Sequence, residues 1–234
     1  MPVTEPSWSV RELVALCDQS SRFAGGELVT KFNENPGALY VVGSGAAKSF
    51  YYDADGNERI TAFYLPGEVF GLEGLNRNNL SIANKMLVTG HLFRIPFSQL
   101  FYLLSRDIQF SKYLVELLSY ETFDARRMSI INGHYTAEVR LAYFLLNLWT
   151  RLKAQCHQDH VLTLPMTRIE IGNFLGLTPE TISRCLALFK KNNWIESRGR
   201  KIKLVDMDSL TQLVTGTSAW NSRHIKSLCG KTAA

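Results

Sequence analysis

The sequence predicts an α+β chain: an N-terminal antiparallel β-roll, then a long helix, then a C-terminal winged helix-turn-helix. Three observations carry this expectation. Residues from about 24 to 100 are rich in Val, Ile, Phe and Tyr and are cut at short intervals by turn-forming pairs. From Phe97 to about Ile131, Gly and Pro are scarce and apolar residues recur at helical spacing. From Met166 onward the chain spells a capped helix, a tight turn, a second capped helix and a basic hairpin.

The roll comes first. ALYVVGSG, AAKSFYY, RITAFYL and HLFRIPF read as short strands. Gly25-Gly26, Asn35-Pro36-Gly37, Asp55-Gly56 and Pro66-Gly67 supply the turns around them. Many short strands with frequent turns are the mark of an antiparallel barrel or jelly roll. DADGN, residues 53–57, has a likeness to a calcium loop, but Tyr64 stands at the twelfth position, where such a loop needs Glu. Strands flank it instead of helices, so a hairpin turn is expected.

After Pro96 the apolar residues Tyr113, Leu114, Leu117, Leu118, Met128 and Ile131 mark one helix running from Phe97 to about Ile131. One of its edges presents Val115, Leu118, Thr122, Ala125 and Ser129, with the three/four alternation of a coiled-coil seam. Small residues there would let two copies approach closely. Periodicity leaves two readings open, a helix packed on its own roll or a seam between two copies. A second helix is expected from Thr136 to about Lys153, followed by the polar loop CHQDHVLTLP. Cys156, His157, Asp159 and His160 in that loop are possible metal ligands, but there is no second Cys pair and no i, i+4 His pair. A solvated linker is the expectation, not zinc.

The bulk numbers fit this order. With 234 residues, 46% hydrophobic and 20% charged, the chain can build two cores. No segment reaches the ~18 apolar residues of a membrane span. The first residues, MPVTEPSWSV, lack the basic and apolar regions of a secretion signal. Cys17, Cys156, Cys185 and Cys229 are far apart, which argues against a disulfide framework and for a reducing cytoplasm. Residues 165–234 hold 11 Lys+Arg against 5 Asp+Glu, a net of +6, whereas residues 1–164 carry −1. The positive excess therefore sits in the C-terminal third, where a polyanion would bind.

That third reads almost residue by residue. Thr167 with Glu170 is a capping box, and Met166 with Ile171 a hydrophobic staple. Gly176 ends the helix, Thr178 caps the next one, and Pro179 takes its first position. On the second helix Ile182, Cys185, Leu186 and Phe189 share one face, and Glu180, Ser183, Arg184 and Ala187 the other, with Lys191 one turn on. Polar residues near such a helix start are placed to meet base edges. Arg184 suits guanine O6 and N7, Glu180 suits cytosine N4, and Ser183 can bond either way. Thr167, Arg168, Thr178, Thr181, Lys190 and Lys191 suit phosphates, as do Arg198, Arg200 and Lys201 at the tip of the hairpin that Gly199 turns. Double-stranded DNA is the expected partner.

The pattern MTRIEIGNFLGLTPETISR resembles that of the CRP/FNR family of bacterial transcription regulators, closest to its FNR branch. The likeness runs over about residues 24–210 and continues through LYVVGSGAAKSF, DADGNERITAFYLPGEVFG, HLFRIPF and AEVRLAYFLLNL. It implies a cyclic-nucleotide-binding-like roll (residues 1–100), a dimerisation helix (101–135) and a winged helix-turn-helix (136–215); residues 216–234, basic through Arg223, Lys226 and Lys231, are read from composition as a flexible tail. It further implies a homodimer, contact with RNA polymerase, and readout of a TTGAT-like half-site in an inverted repeat by Glu180, Ser183 and Arg184.

The sensor departs from the family. Oxygen-sensing members hold an iron–sulfur cluster on several N-terminal cysteines and one in the roll. Here only Cys17 precedes the roll, and Phe93 stands at the distant position. One thiolate cannot replace about four ligands. Nucleotide-binding members place a carboxylate on the ribose, a part open to Glu73, and an Arg on the phosphate, where this chain has Leu80. Glu73 is read instead as a turn or interdomain residue. His91 is the only histidine before the long helix, which leaves haem unsupported. No cofactor is expected. Two alternatives differ in class. One is a regulator whose roll takes an unidentified small effector. The other is a cupin-like metalloenzyme, which His91, His134, His157, His160 and His224 are too dispersed to support.

Overall fold

The computed structural model describes residues 9–216, apart from 16, 18–19, 33, 35–36, 76–81 and 153–159. Cys156, His157, Asp159, Leu80 and all but the first residue of the expected tail lie outside the described residues. The chain divides into two units, Met1–Arg127 and Met128–Ala234, with the boundary inside the long helix.

The first unit is an antiparallel roll of β1 (Ser20–Phe23), β2 (Leu28–Thr30), β3 (Ala38–Tyr52), β4 (Glu58–Tyr64), β5 (Val69–Phe70) and β6 (Ala83–Pro96), with a 3-10 turn at Leu72–Leu75. Strand order is β1-β6-β3-β4, with β2 added to β6 and β5 to β3. ALYVVGSG and AAKSFYY, read as two strands, are one 15-residue strand, β3. Gly43 and Gly45 make no turn between them. They sit where the β3–β6 register slips, and there the backbones come so close that a Cβ on Gly90 would lie 2.0 Å from Ser44 O. A glycine signal serves a bulge as well as a turn, which is why sequence spacing alone split the strand.

Alternation along β3 builds two apolar layers. Ala38, Tyr40 and Val42 join Phe70, Met86 and Leu92. Leu39 and Val41 join Val69, Ile95 and residues from α1 (Val10–Ala15), α2 (Phe97–Arg106) and α3 (Ile108–His134), among them Leu13, Leu100, Phe110 and Leu114. Burying a strand on both sides explains why its burial follows no simple in-out pattern. DADGN is a hairpin turn, with the Asp53 carboxylate accepting from the Asn57 backbone N–H and from Arg59 Nε. The Asn57 backbone bond, ahead of Arg59, holds Asp53 below the usual carboxylate range.

The expected single helix from Phe97 breaks at Asp107. Its carboxylate caps α3, accepting from Gln109 N at 2.8 Å and Phe110 N at 3.1 Å, and its backbone is extended. Asp competes with the helical backbone for N–H groups and so favours a cap over a helix interior. The long helix has one face on the roll and another that is exposed. Phe110 and Leu114 are buried on the roll, while Val115, Leu118, Thr122, Ala125 and Ser129 are exposed.

The second unit contains α4 (Ala137–Leu152), β7 (Val161–Thr163), α5 (Arg168–Leu175), α6 (Pro179–Lys191), β8 (Ile195–Arg198), β9 (Lys201–Leu204) and α7 (Met207–Thr215). α4 spans the expected helix, and Leu141 to Trp149 are buried throughout. Residues 161–163, read as part of a polar loop, are a strand that pairs with β9 and completes a three-stranded wing sheet. α7 packs on α4 through buried Leu210 and Val214, and was not read from sequence. Its signal was the Asp206 cap, whose carboxylate accepts from Ser209 N.

Candidate nucleic-acid interface

The interface is assembled by local capping. Thr167 Oγ1 accepts from Glu170 N at 3.2 Å, and Glu170 Oε2 accepts from Thr167 N at 2.8 Å, a complete capping box at the start of α5. Met166 and Ile171 are both buried beside it. Gly176 ends α5 in the left-handed conformation, at φ 64°. The turn is so tight that a Cβ on Gly172 would lie 2.5 Å from Leu177 O, a requirement that sequence reading did not single out. Thr178 Oγ1 then caps α6 by accepting from Thr181 N, and Pro179 sits in the first turn, where no N–H is needed.

The two faces of α6 separate as expected. Ile182, Cys185, Leu186 and Phe189 are buried. Burial and then Glu138 push the Cys185 thiol up, so it behaves as a small core residue and not as a thiolate. Glu180, Arg184, Ala187, Lys190 and Lys191 are exposed. Ser183 is only half-exposed, and its hydroxyl is engaged. It donates to Pro179 O at 2.9 Å and accepts from Arg168 Nη1 at 3.1 Å. Arg168 is thereby tied to the recognition face, although sequence reasoning had grouped it only with the phosphate contacts.

Arg198, Arg200 and Lys201 are exposed around Gly199, which turns the hairpin at φ 62°. Exposed Lys203 on β9 extends this patch; alternation from Lys201 could have found it. Lys190 Nζ reaches Ser197 O at 3.5 Å, which links the end of α6 to the wing. The Thr178 and Thr181 hydroxyls lie 3.1 Å apart at the positive N-terminal end of α6, where phosphate oxygens are favoured. The arrangement offers a charged reading edge, a cationic flank and a helix N-terminus, all suited to duplex DNA.

Among the described residues of the roll, the surroundings of Glu73 are acidic. Glu73, read as a turn or interdomain residue, reaches inside the roll: its carboxylate accepts from Asn84 Nδ2 at 3.3 Å, and Asn84 also bonds Thr30 and Ser49. Glu121 on α3 feels both Glu73 and Glu68. Residues 76–81, which hold the expected phosphate position Leu80, lie outside the described residues. Cys17 Sγ lies 3.6 Å from Leu13 O and Arg94 O. Among the described residues no group of three or more His, Cys, Asp and Glu is placed to hold a metal ion.

Two family models match the chain: a Crp-like helix-turn-helix domain over residues 139–213 and a cyclic nucleotide-binding domain over residues 20–107. The transcriptional activator protein anr of Pseudomonas aeruginosa is 35% identical over 82% of this chain and 78% of its own. The chain belongs to the CRP/FNR family of transcription regulators. The fumarate and nitrate reduction regulatory protein of Escherichia coli K12 is 30% identical over 93% of this chain and 87% of its own. The solved structure of FixK2 from Bradyrhizobium japonicum superposes with a TM-score of 0.75 at 29% identity, covering 83% of this chain and 96% of that one. This CRP/FNR member is a DNA-binding transcription regulator and not an enzyme. Among the described residues no helix is long and apolar enough to cross a membrane.

Proposed function

We propose that this CRP/FNR protein acts in the cytoplasm as a homodimer joined through Val115, Leu118, Thr122, Ala125 and Ser129. The dimer binds an inverted repeat of TTGAT-like half-sites and contacts RNA polymerase, as the activator name of its anr relative suggests. It does so without an iron–sulfur cluster or cyclic AMP. The observation that carries the reading is α6 itself, capped at Thr178, buried through Ile182, Cys185, Leu186 and Phe189, and exposing Glu180 and Arg184 beside the cationic wing.

In this reading Arg184 donates to guanine, Glu180 accepts from cytosine, and Ser183 accepts through its remaining lone pair, since its one proton goes to Pro179 O. Arg168, Lys190, Lys191, Arg198, Arg200 and Lys201, with Thr167, Thr178 and Thr181, hold the phosphates. The test is fluorescence anisotropy on a TTGAT inverted repeat and a scrambled duplex, each at two salt concentrations and with no ligand added. Arg184→Ala is expected to lose about 1–3 kcal/mol of discrimination at one base pair per half-site. Lys191→Ala is expected to weaken both duplexes alike and to lower the salt slope by about 1. Equal loss on both duplexes for Arg184→Ala removes it from base reading.

A further inference from the structure

Two side chains from the end of α3 and the start of α4 grip the end of α5, just before the turn that launches α6. Asn132 Nδ2 donates to Phe174 O at 3.0 Å. Arg140 Nη1 donates to Leu175 O at 3.1 Å, and its Nε donates to Tyr135 O at 2.8 Å. Phe174 and Leu175 close α5, and the last carbonyls of a helix have no partner within it. Gly176 and Leu177 follow, and Thr178 already caps α6. One guanidinium therefore joins the α3–α4 link to the last residue before the turn, and one amide joins the last turn of α3 to the residue before that.

Asn132 holds this place at a cost. Its amide oxygen is buried without a hydrogen-bond partner among the described residues. An unpaired buried acceptor is unfavourable, and an apolar residue of similar size would avoid it. What the apolar residue would lose is the donor to Phe174 O. Asn132 also lies one helical turn beyond Ser129, the last residue of the dimer seam.

We infer that Asn132 and Arg140 are positioning residues that fix the start of the recognition helix against the end of the long helix, and so set the distance between the two recognition helices of a dimer. The inference rests on the dimeric DNA-binding reading above. In a two-fold helix-turn-helix dimer, the spacing of half-sites follows from the separation of the recognition helices. Side chains that hold each α6 to its own α3 thus act on spacing without touching a base.

The experiment is anisotropy on inverted repeats whose central gap is changed one base pair at a time, with a single TTGAT half-site as reference. Wild type is expected to show one sharp optimum of gap length. Asn132→Leu and Arg140→Met are expected to flatten it, losing about five- to tenfold at the best gap, the scale of one hydrogen bond to a charged or buried partner. Their half-site affinity stays within about twofold of wild type. Arg140→Lys, which keeps the charge and can reach one carbonyl, retains part of the optimum. A sharp optimum in both Asn132→Leu and Arg140→Met overturns the assignment. So does equal loss on half-site and repeat with a lowered melting temperature, the signature of a merely structural role. A wild-type protein that binds repeat and half-site equally well defeats the dimer reading itself, and this inference with it.

Discussion

At the scale of single residues, the recognition module depends on a glycine that carries no chemistry. Gly172 lies on α5, and any Cβ there meets the Leu177 carbonyl at 2.5 Å. The obstacle is backbone and cannot rotate away, so α5 or the turn has to move. Gly172→Ala is expected to destabilise the C-terminal unit by about 1–3 kcal/mol, the range for overpacking a tight contact. Thermal unfolding would show it, and an unchanged melting temperature would mean that the turn relaxes freely. Ser183 teaches the complementary lesson. Its position on the wheel was legible from spacing, but the destination of its proton and its bond to Arg168 were not. The proton goes to Pro179 O, one turn back on the same helix, and the bond to Arg168 reaches a residue fifteen positions away on another helix.

At the scale of elements, α3 is pulled by two demands. Its inner face closes the roll through Phe110 and Leu114, and half-buried Glu121 stands further along the helix. Burial, followed by Glu73 and Glu68, raises the Glu121 carboxyl from 4.5 to about 7. The folded roll therefore holds a proton that the unfolded chain has released between those two values. Stability falls as pH rises through that window, and the penalty is fully present above pH 7. Glu121→Gln is expected to be more stable than wild type at pH 8, on the order of 1–2 kcal/mol once partial solvent access is allowed for, with the difference vanishing toward pH 4. Denaturant melts at the two pH values check this; equal differences at both would remove the titration from the explanation. The same helix shows the limit of reading periodicity. The three/four repeat identified the exposed edge, but Asp107 ended the preceding helix by a local hydrogen-bond choice that apolar spacing does not register.

For the whole molecule, the proposed dimer turns on whether exposed Val115, Leu118, Thr122, Ala125 and Ser129 meet a second copy. Charges at a close-packed seam are costly without partners. Ala125→Glu is expected to shift the protein to monomer by sedimentation at micromolar concentration, while Phe110 and Leu114 keep the roll folded. Retained dimer would place the interface elsewhere. A monomer should bind the inverted repeat no better than a single half-site, since the gain from linking two sites is gone.

What the sequence by itself determined about this protein is everything written within about one helical turn: the Thr167–Glu170 box, the Gly176 stop, the Thr178-Pro179 start and the two faces of α6. Caps and faces depend on neighbours up to four residues apart, so spacing suffices to read them. The tertiary structure alone decided that Gly43 and Gly45 bend one long strand instead of ending two, that β1 pairs with β6 some seventy residues on, and that Val161–Thr163 complete the wing. It also decided that Asn132 and Arg140 hold the end of α5. Each of these joins groups distant in sequence, and their partners are chosen by burial and by unsatisfied backbone groups that exist only once the chain has folded.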